Sequence, residues 1–242
     1  MTPKPLRLKP NILVWDLPVR LFHWLLALSF AGAWITAESE RWRLLHVTLG
    51  YTLGGLLAFR VLWGLVGTRH ARFSDFVRGP RAALRYLGGL LRGRPEPHVG
   101  HNPAGALAIV ALMALGGLIV ASGWANYNAL GGDLMEELHE ALASTMLTVV
   151  GVHVLAVMIS SRLHHENLVG AMITGRKHGA PGDGITQAWR SVAALMLVAV
   201  IGFWTWQWQG APQADMASAE AGGPAVLAQQ HGRRHGDDDD DD

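Results

Sequence analysis

Two histidines that lie fourteen positions apart, His139 and His153, share one long apolar segment of this 242-residue chain. In an α-helix, fourteen residues rise about 21 Å and bring both side chains back to nearly the same face. Two further histidines, His23 and His46, stand at the beginnings of other apolar segments. An ionisable side chain in such a segment needs a partner and is a candidate for function. These imidazoles could bind a metal or haem iron, carry protons, or make ordinary hydrogen bonds at helix ends.

The composition indicates that these segments cross a membrane. Half of the residues are hydrophobic and only 16% are charged, which fits a membrane protein better than a water-soluble domain. Because about twenty mixed residues precede the first apolar run and no small-residue cleavage site follows it, we expect this run to remain as an anchor. Runs long enough to cross a bilayer predict five helices, at 21–37, 45–67, 104–122, 138–161 and 191–209.

The distribution of positive charge predicts how the helices are oriented. Basic residues crowd the N-terminus, the connection 68–103 and the segment after the fourth run, whereas the other two connections hold only Arg41 and Arg43 between them. The positive-inside rule then places the N-terminus in the cytoplasm and the C-terminus outside. The stretch RAALRYLGGLLRGR within 68–103 predicts a short amphipathic helix at the membrane surface.

In this orientation the four histidines fall at two depths. His23 and His153 lie near the cytoplasmic surface, and His46 and His139 lie near the periplasmic one. Two stacked pairs of imidazoles are what two haems with bis-histidine ligation require between helices. One histidine near a helix end is more often an interfacial residue than a ligand, but the agreement of four in depth favours haem. A metal or proton pathway is the main alternative.

Two arginines could support a haem at the cytoplasmic depth. Arg60 follows His46 by fourteen residues and shares its helix face, and Arg20 precedes His23 by about one turn. Either guanidinium could pair with a haem propionate, although a snorkelling interfacial arginine is an equally good interpretation of both. The partners of the imidazole N–H groups are left open among nearby carbonyls, Thr48, Ser144 and Thr145.

The chain contains no cysteine. This excludes disulfides, thiolate-held iron–sulfur clusters and covalently attached c-type haem within it. The basic residues line membrane-facing connections without a nucleic-acid-binding module, so no nucleic-acid partner is expected.

The segments WDLPVRLFHW, RLLHVTLGY, HNPAGALAIVALM and HEALASTMLTVVGVHVLAV resemble the prokaryotic cytochrome b561 family, which shares its domain with the b-type cytochrome subunit of nickel-iron hydrogenases. The resemblance covers about residues 12 to 178. It implies a four-helix core with two b-haems, one held by His23 and His153 and the other by His46 and His139. It also implies electron transfer between the membrane quinone pool and a partner redox protein, for which a periplasmic c-type cytochrome or a hydrogenase-type complex is expected.

The expected fold is therefore all-α, an integral membrane four-helix haem-binding bundle with a fifth C-terminal transmembrane helix. The expected parts are a cytoplasmic N-terminus at 1–20, the di-haem domain at 21–178, the fifth helix at 191–209 and a disordered acidic periplasmic tail at 211–242. The tail ends in HGRRHGDDDDDD and could steer a basic partner or bind metal loosely through His231 and His235. The sequence allows an oligomer.

Two other function classes stay open. One is a stand-alone enzyme that oxidises a small periplasmic reductant such as superoxide and reduces quinone, for which Arg41 and Arg43 would have to attract the anion. The other is a divalent-metal permease that uses the histidines as a relay. Four more histidines could move protons during quinone turnover but are interpreted as ordinary loop residues: His70, His101, His164 and His165.

Overall fold

The computed structural model describes residues 10–92 and 98–210, and long helices dominate it. A short strand β1 (Asn11–Leu13) precedes α1 (Leu17–Thr36) and α2 (Arg43–Val66), and a 3-10 turn, Glu40–Trp42, joins these two helices. After α2 come α3 (Phe73–Phe76), α4 (Pro80–Leu91), α5 (Pro103–Tyr127), α6 (Asp133–Leu163), α7 (Leu168–Thr174), strand β2 (Arg176–His178) and a second 3-10 turn, Pro181–Asp183. Helix α8 spans Arg190–Gly210.

Five of these helices, α1, α2, α5, α6 and α8, are long and apolar enough to cross a membrane. The five apolar helices were predicted from the sequence and are confirmed, and the helix α4 forms within the stretch for which a membrane-surface helix was predicted. The observed helices begin earlier than the apolar runs because polar residues cap them. Asp16 and Asn102 accept backbone N–H groups at the starts of α1 and α5. Asp133 and Glu136 occupy the first turn of α6, where the helix dipole favours negative charge.

Helices α1, α2, α5 and α6 pack as a bundle, with the most extensive contacts between α1 and α2 and between α5 and α6. The centre of the bundle is an apolar cluster to which all four helices contribute: Phe30, Leu53, Leu57, Ile119 and Met146. The outward faces stay apolar too, as at Val152, Leu155 and Ile159 of α6, which are all exposed. Large exposed apolar surfaces of this kind fit lipid contact, so the bundle is a membrane domain.

The bundle has two unlike ends. At the hairpin end, short connections at residues 37–42 and 128–132 join α1 to α2 and α5 to α6. The opposite end is here called the strand end, because β1 and β2 pair there in antiparallel fashion, with Ile12 opposite Lys177. These strands were not predicted from the sequence. Each has only three residues, too short for an alternating pattern to be recognised.

Residues 196–210, which are most of α8, belong to a compact unit separate from the bundle. This unit confirms a fifth apolar helix at about the predicted position. The acidic tail predicted at 211–242 and the first nine residues of the N-terminus lie outside the described residues.

Asp16 joins two helices at the strand end. Its side chain is only 1% exposed, and its Oδ1 accepts the Val19 N–H at 2.8 Å. Its Oδ2 accepts the indole N–H of Trp63 at 3.0 Å and the hydroxyl of Thr68 at 2.6 Å. One carboxylate therefore accepts three donors and fixes the start of α1 against the end of α2.

We expect Asp16→Asn to destabilise the bundle by about 1–3 kcal/mol, because an amide N–H would face one of these buried donors and leave it unsatisfied. The thermal midpoint in detergent measures this loss. Asp133→Asn, at the exposed start of α6, is the control and should change the midpoint much less. Equal midpoints for the two variants would contradict a structural role for Asp16.

Candidate haem-binding sites

At the hairpin end, the structure brings His46 and His139 face to face. His46 lies in the first turn of α2 and His139 in the second turn of α6, and their ring centroids are 6.2 Å apart with the ring planes at 77°. An imidazole nitrogen lies about 2.0 Å from a bound metal, so two imidazoles on opposite sides of one metal have centroids about 6 Å apart. The spacing of this pair therefore fits two axial ligands of one metal.

Backbone carbonyls orient both rings. The Nδ1 of His46 lies 2.9 Å from the carbonyl oxygen of Ala33 in α1. The Nδ1 of His139 lies 3.1 Å from the carbonyl oxygen of Ile119 in α5 and 3.2 Å from the hydroxyl of Ser122. Because a carbonyl only accepts, each Nδ1 carries the proton and each Nε2 keeps a lone pair for a metal. The two helices without a histidine in this pair thus supply its carbonyl partners.

A cavity of about 640 Å³ surrounds the His46–His139 pair. Both imidazoles and the small residues Gly50 and Gly123 line it, together with the rings of Trp34 and Trp124. A Cβ atom on Gly50 would meet no protein atom within 4 Å, whereas one on Gly123 would lie 2.8 Å from Cε1 of His139. Gly50 therefore leaves space for a flat ligand, and Gly123 lets α5 approach the His139 ring. Pockets of this size and mixed lining are typical of cofactor sites.

At the strand end, His23 of α1 and His153 of α6 lie near enough for their charges to interact. Both side chains are half-buried, and the Nδ1 of His23 is buried without a hydrogen-bond partner. The structure therefore places these two histidines together at the opposite end from His46 and His139.

Arg20 and Arg60, the two arginines singled out from the sequence, also lie at the strand end. Arg60 is only 3% exposed, its Cζ lies 4.8 Å from the centre of the Phe73 ring, and its Nη1 has no partner. The Nε of Arg20 is likewise buried without a partner, and its Nη1 packs over Gly175, where a Cβ would be 2.6 Å away. Buried donors are rarely left unpaired, so these groups fit an anionic acceptor such as a carboxylate.

Sequence reasoning missed His101, which was interpreted as an ordinary loop residue. Its ring packs against those of Trp15 and Phe76, at centroid distances of 4.4 and 4.6 Å, and its Nδ1 is buried without a partner among the described residues. Burial, together with the smaller effect of the nearby positive charge of Arg60, lowers the pKa of His101 to about 3. The ring is therefore neutral near pH 7. The sequence contained one signal for an ordered His101. This residue directly precedes Asn102, the N-cap of α5, so the start of the helix holds its backbone in place.

His70 is also more buried than a loop residue should be, at 5% exposure. Its Nε2 lies 2.7 Å from the carbonyl oxygen of Asp183 and its Nδ1 lies 3.3 Å from Asp75 Oδ2. Both ring nitrogens thus have acceptors, and His70 ties the α2–α3 connection to the segment after β2. His164 is held by the carbonyl oxygen of Ser160 at 3.0 Å, and His165 is exposed.

A membrane-embedded helical bundle with paired imidazoles and buried unpaired basic donors has the architecture of a b-type cytochrome. Comparison with known families agrees with this class, because the family model of prokaryotic cytochrome b561 matches residues 14–175. The chain belongs to the prokaryotic cytochrome b561 family. It is thus a b-type cytochrome and a component of membrane electron transfer, and the resemblance seen in the sequence is confirmed.

Individual relatives carry one common name. A probable Ni/Fe-hydrogenase B-type cytochrome subunit of Azotobacter vinelandii is 32% identical over 52% of this chain and 64% of its own length. The proteins of the same name from Bradyrhizobium diazoefficiens and Rhizobium leguminosarum bv. viciae are 22% and 24% identical, each over 70% of this chain, and over 87% and 90% of their own lengths. The chain thus spans somewhat less than two thirds of the Azotobacter relative. No solved structure matches the chain significantly.

Proposed function

We propose that this protein carries electrons across the bacterial inner membrane through two b-haems, between the quinone pool and a partner redox protein. The observation that carries this proposal is the His46–His139 pair, with centroids 6.2 Å apart and both Nδ1 atoms held by carbonyls. His46 and His139 would hold one haem at the hairpin end. His23 and His153 would hold the other at the strand end, with Arg20 and Arg60 facing its propionates.

The donor set supports haem over a bare metal ion. Each end offers two imidazoles, and in residues 10–92 and 98–210 no group of three or more histidine, aspartate or glutamate side chains could hold a metal ion. Two axial nitrogens suffice for an iron whose other ligands come from a macrocycle. A permeation site for divalent cations would have to complete its coordination from other ligands.

The chain's own residues would fix the path of the electrons. Haem, when bound, supplies one-electron transfer. His139 and His153 on the rigid helix α6 set the two sites about 21 Å apart along the bundle. The apolar cluster between the sites, which includes Leu53 and Met146, excludes water, and the carbonyls of Ala33 and Ile119 hold the ring orientations. Electron transfer in this arrangement needs no large motion of the helices.

The charge distribution supports an orientation with the strand end in the cytoplasm. The exposed residues of α4 and its flanks at this end include Arg72, Arg78, Arg81 and Arg85, which suit an anionic inner leaflet. The hairpin end, with the cavity around His46 and His139, then faces the periplasm. The rim of this cavity carries Glu38, Glu40, Glu136 and Glu140 and one basic residue, Arg43.

This acidic rim favours a protein partner over a small anionic substrate. Relatives of the chain are named as hydrogenase cytochrome subunits, so a hydrogenase-type complex or a c-type cytochrome with a basic docking face is the expected partner in the periplasm. A superoxide-oxidising enzyme would instead need a positive approach to the outer haem, and the glutamates would repel its substrate.

Haem content tests the proposal directly. We expect the detergent-purified protein to show a reduced-minus-oxidised b-type spectrum with two haems per chain by pyridine extraction. His139→Ala and His153→Ala should each lower this ratio towards one, because each removes an axial ligand from a different site. His165→Ala is the matched control, since that ring is exposed, and should keep two. A colourless protein would refute the electron-transfer function.

The close approach of α5 to His139 gives a second prediction. Gly123→Ala should turn the His139 ring, because the added Cβ would lie 2.8 Å from Cε1, and we expect the low-spin electron paramagnetic resonance signal of one haem to shift. Gly117→Ala on the same helix adds its methyl where no atom lies within 4 Å and should leave both signals in place. Identical spectra for the two variants would argue against His139 as a ligand.

The acidic rim can be measured with small redox reagents. At low salt we expect Glu136→Gln combined with Glu140→Gln to slow oxidation of the reduced protein by cationic hexaammineruthenium(III) severalfold and to speed oxidation by anionic ferricyanide. Stopped-flow absorbance gives both rates, and high salt should remove the differences. Glu137→Gln, outside the cavity lining, is the control. Rates that do not respond to the two substitutions would leave the superoxide-oxidising enzyme as the better interpretation.

A further inference from the structure

The two ends of the bundle differ in how their polar groups are satisfied. At the hairpin end, the Nδ1 atoms of His46 and His139 both have carbonyl partners. At the strand end, four buried side-chain nitrogens have no partner in the described part of the chain: Arg20 Nε, His23 Nδ1, Arg60 Nη1 and His101 Nδ1. A buried polar nitrogen without a partner costs free energy. Because the two arginine nitrogens can only donate, the strand end fits an acceptor that is not part of the described chain.

The carboxylates near these donors already have other partners. Asp16 accepts from Val19, Trp63 and Thr68. Asp75 faces His70, and Glu166 pairs with Lys177 at 2.8 Å. These carboxylates are therefore not the acceptors for the strand-end donors, and the excess of positive side chains there favours a bound anion in that role.

His101 and Arg60 share one aromatic support. The ring of Phe76 packs against His101 at 4.6 Å, and the Cζ of Arg60 lies 5.8 Å from the centre of the same ring. The ring of Trp15 also packs against His101, with the ring centroids 4.4 Å apart. The positive charges that act on His101 include those of Arg60 and His153, so the ring lies within electrostatic range of the strand-end haem site. The aromatic packing restricts the ring, and Nδ1 is the buried atom that lacks a partner.

We infer that His101 donates a hydrogen bond from Nδ1 to a propionate carboxylate of the strand-end haem, beside the guanidinium of Arg60. This inference rests on the proposed function and adds a positioning residue from the loop before α5, a helix that contributes no histidine to either pair. A neutral imidazole gives the carboxylate one directional hydrogen bond, and Arg60 gives it a charge. The aromatic contacts hold the donor in place without using its polar atoms.

The test separates hydrogen bonding from packing. His101→Phe keeps the aromatic contacts with Trp15 and Phe76 and removes the donor, whereas His101→Asn removes the ring and puts an amide nitrogen near the Nδ1 position. His165→Asn, at an exposed histidine with a φ of 51°, is the control. Potentiometric titration of the two-haem protein gives one wave for each haem, and the wave that His153→Ala abolishes identifies the strand-end site.

We expect His101→Phe to move the strand-end wave to lower potential, because a carboxylate that loses a donor stabilises the oxidised haem more strongly. The hairpin-end wave should not move. The propionate bending band in resonance Raman spectra should shift in His101→Phe and stay near its normal position in His101→Asn. Loss of the strand-end haem in His101→Phe with retention in His101→Asn would support the same conclusion.

Three outcomes would overturn the inference. Unchanged potentials in His101→Phe would show that no donor had been lost. Equal behaviour of the Phe and Asn variants would show that His101 acts only through packing. A moved wave with an unchanged propionate band would assign the acceptor to another anion, such as a lipid phosphate. By contrast, a wild-type protein without haem would refute the proposed function itself, so the two failures can be told apart.

Discussion

The arrangement of the bundle depends on one constraint: an imidazole inside an apolar membrane domain must have both of its nitrogens satisfied. At the hairpin end, α1 and α5 satisfy one nitrogen of each ring through the carbonyls of Ala33 and Ile119. The other nitrogen of each ring keeps a lone pair that a metal could use. Four helices thus contribute to this one pair of imidazoles, since α2 and α6 carry the rings and α1 and α5 orient them. The same helices pack most extensively as α1 with α2 and as α5 with α6.

The strand end meets the same constraint in a different way. The loops and strands there bury Asp16, His70 and Lys177, and each of these charged or polar groups has partners within the chain. The remaining nitrogens, on Arg20, Arg60 and His101, have no partner within residues 10–92 and 98–210. The loops and strands at this end can hold these nitrogens in place before a cofactor binds, because Asp16 and the strand pair stabilise this part of the fold. The side chains that stabilise the strand end are thus different from the side chains that would bind a cofactor there.

The sequence predicted the parts of this fold that depend on repeating patterns. Apolar length predicted all five spans, and the helical period placed His139 and His153 on one face of α6. The three-residue strands, the partners of Asp16 and the burial of His101 could not be predicted, because they depend on contacts between residues that are far apart in the chain. Arg60 could be singled out from its spacing to His46, but its position above Phe73 depends on how the α2–α3 connection turns back. Haem ligation itself was inferred, and the structure adds the geometry that makes it testable.

The two ends of the bundle also differ in charge, and this difference affects the direction of electron flow. The hairpin-end cavity is bordered by glutamates, whereas the strand end carries unpaired basic donors. Negative charge near a haem stabilises its oxidised state, and positive charge stabilises its reduced state. If both sites bind haem, these side chains alone would make the strand-end haem the stronger electron acceptor. Electron flow from the hairpin end to the strand end would then be favoured.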